Sequence, residues 1–249
     1  MHRFFAEPSQ IGEKEIRLTG TDVNHIRNVL RMRAGDEILI SDGMGTDYRC
    51  VLKDIEGDSI QAGICWVLNG NAELPSRITL YQGLPKGDKM ELIVQKCVEL
   101  GVSKIVPVTT RRTVVKLDAK KEQAKRKRWM GISESAAKQS GRGIIPEITE
   151  MKSFSQALED AKELDICLIP YELAKDMNHT REIFSSVKPG ESIGIFIGPE
   201  GGFEGDEIEG AITIGAKPIT LGRRILRTET AGMAVLSMLA YLLEESSPC

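Results

Sequence analysis

The rhythm of hydrophobic and polar positions changes near Pro75. Before it, short apolar stretches alternate with turn residues: Glu37–Ser41 runs into Asp42-Gly43, Tyr48–Leu52 precedes Glu56-Gly57-Asp58, and Ser59–Ile64 follows. Such spacing predicts strands of a small β-barrel. One helix interrupts them: Thr21 is placed to cap it, Val23, Ile26 and Leu30 share a face, and Arg27, Arg31 and Arg33 lie close by. Asn69–Pro75 reads as a linker. After it, strands and helices alternate as in an α/β domain with a largely parallel sheet. Ile78–Gln82 is a predicted strand. Asp88, with Glu91 three residues on, opens a helix with Met90, Ile93, Val94, Cys97 and Val98 on its apolar face, closed by Gly101. A strand over Lys104–Val108 and a helix from Asp118 to Gly141–Gly143 come next. Ile166–Ile169 and Ser192–Ile197 are continuous apolar runs suited to central strands covered on both faces. A helix over Asp206–Ala216, a short strand over Ile219–Leu221 and a last helix starting near Thr228 or Thr230 complete the pattern. That helix is apolar over so wide an arc that burial in the core or in a subunit interface is expected. Its Ala231–Leu243 run falls short of the roughly 20 residues a bilayer requires.

These elements predict two domains, residues 1–73 as a small barrel and 74–249 as an α/β domain. With 249 residues, 41% hydrophobic and 28% charged, the composition is globular and excludes a disordered tail protein. The five cysteines, Cys50, Cys65, Cys97, Cys167 and Cys249, never form a CxxC pair, and the three histidines are scattered. Neither a disulfide framework nor a metal site is suggested. The first residues lack the apolar stretch of an export signal, so a cytoplasmic location is expected.

The net charge of −3 hides an asymmetry. Residues 1–75 sum to −4, residues 76–146 to +10 and residues 147–249 to −9. A block at +10 fits a phosphate-backbone ligand, although a solvated basic helix would give the same count. Within it, Lys120, Lys121, Lys125, Arg126, Lys127 and Arg128 occupy the first half of the helix opened by Asp118.

Two loops hold the densest chemistry. Ile197-Gly198-Pro199-Glu200-Gly201-Gly202-Phe203 follows an apolar strand, and its glycines permit close approach of a ligand to the backbone. Glu200 stands where a pyrophosphate would need bare N–H groups, which disfavours a phosphate loop but not a ligand carrying positive charge. Leu221-Gly222-Arg223-Arg224-Ile225-Leu226-Arg227-Thr228-Glu229-Thr230-Ala231 gathers three arginines, two hydroxyls and a carboxylate at the mouth of an apolar helix. Such a set is costly to bury unless it serves a site or pairs internally, as Arg224 with Glu229 would. Basic and hydroxyl residues also gather at Leu84–Lys89, Thr110–Thr113 and Gln139–Arg142, in the vocabulary of phosphate and 2′-OH contacts. Candidate RNA contacts are Arg3, Arg27, Arg31, Lys86, Lys89, Arg111, Arg112 and Arg142.

Six blocks in order carry a resemblance over nearly the whole chain: His25-x-x-x-Val29-Leu30-Arg31, Lys86-Gly87-Asp88-Lys89-Met90-Glu91, Glu99-Leu100-Gly101, Gln139-Ser140-x-Arg142, Gly198–Gly202, and Leu221-Gly222-x-Arg224-Ile225-Leu226-Arg227-Thr228-Glu229-Thr230-Ala231. On these the chain resembles the RsmE family of SPOUT methyltransferases, which methylate N3 of a uridine in small-subunit ribosomal RNA. The resemblance implies a PUA-like barrel followed by a domain tied in a trefoil knot, a homodimer, and S-adenosyl-L-methionine as cofactor. It also implies that the cofactor lies bent against Ile169, Pro170 and Tyr171, against Gly198, Pro199, Glu200, Gly201 and Gly202, and against Leu221, Gly222, Ile225, Leu226, Arg227, Thr228, Thr230 and Ala231. Methylation of an imide nitrogen requires loss of its proton. Arg227 is the expected stabiliser of the resulting anion, and Glu200 or Glu229 the expected proton acceptor. Because N3 lies on the Watson–Crick edge, the uridine must be unpaired or flipped out. A non-catalytic ribosome-binding module would not need the Gly198–Gly202 loop, and a nicotinamide oxidoreductase would want a phosphate-friendly one.

Overall fold

The structure, a computed structural model, describes residues 1–69, 72–171, 174 and 176–244. It divides into two compact units, residues 1–73 with 137–145, and residues 74–136 with 146–249. Part of the expected linker, Gly70 and Asn71, lies outside the described residues.

The first unit comprises β1 (His2–Phe5), β2 (Glu15–Thr19), a single turn α1 (Thr21–Asn24), β3 (Glu37–Ser41), β4 (Thr46–Glu56) and β5 (Ser59–Asn69). They make one curled sheet in the order β1-β3-β4-β5-β2, in which β1 pairs parallel with β3 and the other neighbours are antiparallel. It is an open half-barrel rather than a closed barrel. Alternation places Ile16, Leu18, Ile38, Ile40, Cys50, Leu52 and Ile60 in its core, with Val23 and Ile26 from the helical segment. The expected helix is shorter and differently capped. Gly20, at φ 78°, precedes it and makes no side-chain cap, and from His25 to Val29 the coil widens to a π-turn. Arg31 then takes φ 54°, the one positive value of a non-glycine among the described residues. Residues 137–145 join this unit through the Met44–Ile144 bridge and the pairing of Arg142 with Glu73.

The second unit runs β6 (Arg77–Gly83), α2 (Lys89–Glu99), β7 (Lys104–Thr109), α3 (Ala119–Ser140), β8 (Glu147–Ile148), β9 (Lys152–Ser153), α4 (Phe154–Ala161), β10 (Ile166–Pro170), α5 (Met177–Ser185), β11 (Ser192–Ile197), α6 (Gly205–Thr213), β12 (Lys217–Ile219) and α7 (Thr228–Glu244). Its strands are all parallel, in the order β12-β10-β11-β6-β7-β8, with β9 also on β7. On one face Tyr81 stacks on Phe196 at 4.5 Å, Phe154 meets Phe196 edge-on, and α4 and α6 contribute Ala157, Ala161, Ile208 and Ala211. On the other, α7 packs across β11 with α2 and α5 beside it. Val235, Leu236, Leu239 and Leu243 of α7 are buried, but Met238 and Tyr241 are exposed, so the breadth of its apolar arc is not used up within this unit.

Burial reaches the thiols as well. It pushes Cys97 and Cys50 up to about 12 and Cys167 up to about 11. Among the described residues no helix is long and apolar enough to cross a membrane.

Candidate functional site

Four parallel strands, β6, β10, β11 and β12, release their loops at the same carboxyl edge of the sheet, the position where open α/β sheets bind ligands. β12 ends two residues earlier than the hydrophobic run predicts. The N–H of Tyr171 donates to the Ile219 carbonyl, and that of Thr220 to the Thr180 hydroxyl at 3.0 Å. Thr220 and Leu221 are thereby released from the sheet into a cavity of about 490 Å³. Its walls are Pro170 and Tyr171 after β10, residues 197–203 after β11, residues 220–228 after β12, Ala231, and the side chains of Lys89 and Arg112.

Hydrogen bonds from the sheet hold both loops. Gln82, fully buried at the end of β6, donates through Nε2 to the Thr228 hydroxyl at 2.9 Å, and Thr228 donates to the Gly198 carbonyl at 2.6 Å. The start of α7 is thus bonded to the glycine loop and to the centre of the sheet. At Gly83 the backbone comes so close that a Cβ there would stand 2.6 Å from Pro199. Gly202 closes the loop at φ 71°, with open space where a side chain would point.

Charges around the cavity fall into two sets. Glu200 accepts from Lys89 Nζ at 2.8 Å and from the Lys86 N–H at 3.1 Å. Partial burial opposes its ionisation, but the Lys89 hydrogen bond, the backbone N–H groups of Glu200 and Lys86, and the charge of Lys89 outweigh that and hold its carboxyl below the usual value. Lys89 is raised, chiefly by the same hydrogen bond, although nearby Arg227 works against it. Lys89 also stands 3.7 Å from Glu229, whose Oε2 is buried with no hydrogen-bond partner. Arg112 pairs with Glu204 at 2.8 Å and donates to the Gly201 carbonyl at 2.7 Å, bracing the glycine loop from outside, while Arg111 pairs with Asp206. By contrast Arg223, Arg224 and Arg227, all exposed, have no carboxylate partner among the described residues. The anticipated Arg224–Glu229 pair does not form: Glu229 turns to Lys89.

Most of the residues expected to hold a cofactor meet in this cavity: Pro170, Tyr171, Gly198, Pro199, Glu200, Gly201, Gly202, Leu221, Gly222, Ile225, Leu226, Arg227, Thr228 and Ala231. Ile169 does not. It is fully buried within β10 and points into the core among Phe196 and Ala216. Thr230 and Glu229 are also absent from its walls. Of the expected RNA contacts, Lys89 and Arg112 belong to the cavity itself. Arg142 is 3% exposed and engaged by Glu73, and Arg3 is 11% exposed and engaged by Asp47 at 2.6 Å. Both guanidinium groups are neutralised within the fold. Arg27 donates to the carbonyls of Gly57 and Ile55, and Arg31 and Lys86 remain exposed. Gln82 was not singled out by the sequence pattern. Its signal was a polar residue ending an otherwise apolar central strand.

Comparison with known proteins accords with this geometry. A family model described as an RNA methyltransferase domain matches residues 72–240, and one described as an RNA methyltransferase PUA domain matches residues 18–65. The chain is 39% identical to a Bacillus subtilis protein named ribosomal RNA small subunit methyltransferase E, over 98% of each chain. A crystal structure of a ribosomal RNA small subunit methyltransferase E from Neisseria gonorrhoeae bound to S-adenosyl methionine superposes with a TM-score of 0.85 at 33% identity, covering 97% of this chain and 98% of that one. A putative methyltransferase from Legionella pneumophila, solved with bound S-adenosyl methionine, gives 0.85 at 32% identity over 96% of each chain. With its PUA and methyltransferase domains in that order, the chain belongs to the ribosomal RNA small subunit methyltransferase E family.

Proposed function

We propose that the protein is an S-adenosylmethionine-dependent methyltransferase that modifies N3 of a specific uridine in 16S, small-subunit ribosomal RNA. The observation that carries this reading is the cavity at the carboxyl edge of the sheet, where the two loops singled out by sequence converge. Its size lies in the range of small-molecule sites. The residues suit a cationic, adenosine-bearing ligand: bare backbone at Gly198, Gly201, Gly202 and Gly222, apolar surface from Leu221, Leu226 and Ala231, and the carboxylate of Glu200. When bound, the cofactor supplies an electrophilic methyl carbon on a positively charged sulfur.

The remaining work falls to the chain's own groups. Arg227, exposed in the cavity wall without a carboxylate partner, stabilises the uracil anion as N3 loses its proton. Glu200 receives the N3 proton and, because its pKa is depressed, passes it on to solvent rather than keeping it. Glu229, outside the cavity walls, positions Lys89 rather than touching the substrate. Lys86 and Arg31 remain as RNA-contact candidates. The domains are residues 1–73 and 74–249, the protein works in the cytoplasm without a metal, and a second copy covers the exposed Met238 and Tyr241 of α7.

Mass spectrometry of ribosomal RNA nucleosides from a deletion strain tests the reading. 3-Methyluridine is expected to disappear, to return with the intact gene, and to stay absent with Arg227→Ala. Unchanged nucleosides in the deletion strain would overturn it.

A further inference from the structure

Ile225 is 88% exposed, more than any other large apolar side chain among the described residues. A single exposed isoleucine is unremarkable on a flat surface. This one stands on the cavity wall, in the irregular segment between β12 and α7, while its neighbour Leu226 is partly buried. Arg223 and Arg224 precede it and Arg227 follows, and none of the three has a carboxylate partner among the described residues. Arg111 and Arg112 are held by Asp206 and Glu204. An apolar tip flanked by unneutralised guanidinium groups matches the alternation of a nucleic acid strand, a base face beside phosphates. A second protein copy is a poorer match, because burying three cations without counter-charges is strongly unfavourable.

We infer that Ile225 is an apolar wedge that packs against the base stacked next to the target uridine and holds the target extruded toward the cavity, with Arg223 and Arg224 on the flanking phosphates. The inference rests on the methyltransferase reading above and adds how the RNA is opened. A base modified at its Watson–Crick edge has to leave its stack, and apolar side chains are the usual means of occupying the gap. β-Branching leaves isoleucine few χ1 states, so little rotamer freedom is lost when it inserts.

The test uses the full-length protein, small ribosomal subunits purified from a strain lacking the gene, and S-adenosyl-L-methionine with a labelled methyl group. For Ile225→Ala, kcat/KM toward the subunits is expected to fall about tenfold or more, in keeping with loss of an apolar contact. Ile225→Asn should fall as far, and Ile225→Leu should stay within about threefold of wild type. With its side chain 88% exposed, Ile225 can face the cofactor only through its backbone, so calorimetric titration with the cofactor should show a much smaller change for Ile225→Ala than the loss toward RNA. The wedge is overturned if the alanine variant acts as well as wild type, if weaker cofactor binding accounts for the whole loss, or if that variant sediments as a smaller species, which would make Ile225 a subunit contact. Wild-type protein that transfers no methyl group to these subunits would refute the proposed function and the wedge with it.

Discussion

Two arginines of the first unit and three on the loop after β12 are the same residue in opposite circumstances. Arg3 and Arg142 are almost wholly inside, each held by a carboxylate, Asp47 and Glu73. Arg223, Arg224 and Arg227 are exposed along the cavity wall and have no such partner. Charge that is neutralised within the fold serves cohesion. Charge left without a partner beside a cavity is available to a ligand. A count of basic residues along the chain cannot distinguish the two: Arg142 lies in the +10 block that first suggested RNA, whereas Arg223, Arg224 and Arg227 lie in the segment that sums to −9.

The sharpest way to break the contrast is to remove one arginine of each kind. Arg227→Ala is expected to lower methyl transfer to small subunits by a factor on the order of a hundred or more, with an unchanged melting temperature; a loss of fold instead would place Arg227 with the cohesive set. Arg142→Ala should do the reverse, lowering stability by about 3 kcal/mol in urea unfolding because a largely buried Glu73 is left without its partner, while any folded fraction retains its cofactor affinity. Lys89→Met should weaken cofactor binding by about tenfold in calorimetry, since charge-assisted hydrogen bonds hold the glycine loop to the start of α2; an unaltered affinity would mean Glu200 keeps its place unaided. Arg223→Ala and Arg224→Ala should each reduce the salt dependence of RNA binding, log Kd against log salt, by about one unit of slope.

The smallest effect concerns pH. Glu200 titrates below its ordinary value, so its contribution is complete above about pH 4.5 and is lost as pH falls through the lower, folded value. Lys89 titrates above its own, so its contribution is complete below about pH 10.5 and is lost as pH climbs through the raised one. The difference in melting temperature between wild type and Lys89→Met should therefore be constant from about pH 5 to 10 and shrink outside that window. A difference that drifts across neutral pH would show that another group governs the tie.

Much of the catalytic unit was legible because central strands are read from uninterrupted apolar runs: Ser192–Ile197 is β11, and Ile166–Ile169 lies within β10. The glycine loop of the candidate site was visible for the same reason, since it follows β11, whereas the loop after β12 was read from its density of arginines, hydroxyls and a carboxylate. Where the pattern misled, a tertiary contact decided. β12 stops at Ile219 because Thr180 takes the next N–H, and Arg142, which looked like surface, is enclosed by Glu73. The helices α4 and α5 were not anticipated, and neither were β1 and β2. Those elements are short, and their place depends on partners remote in sequence, such as Ile38–Ser41 for β1. A knot lies beyond any local pattern, because periodicity records which face is apolar and nothing about which loop a chain passes through.

Burial of the thiols has a consequence for a protein that handles an alkylating reagent. Cys50, Cys97 and Cys167 stay protonated at neutral pH, and a protonated sulfur is a poor nucleophile, so the core does not compete with RNA for the methyl group. The same protection makes iodoacetamide a gauge of native-state opening: among the described cysteines Cys65, exposed on β5, would mark first, and each enclosed sulfur only when its surroundings part.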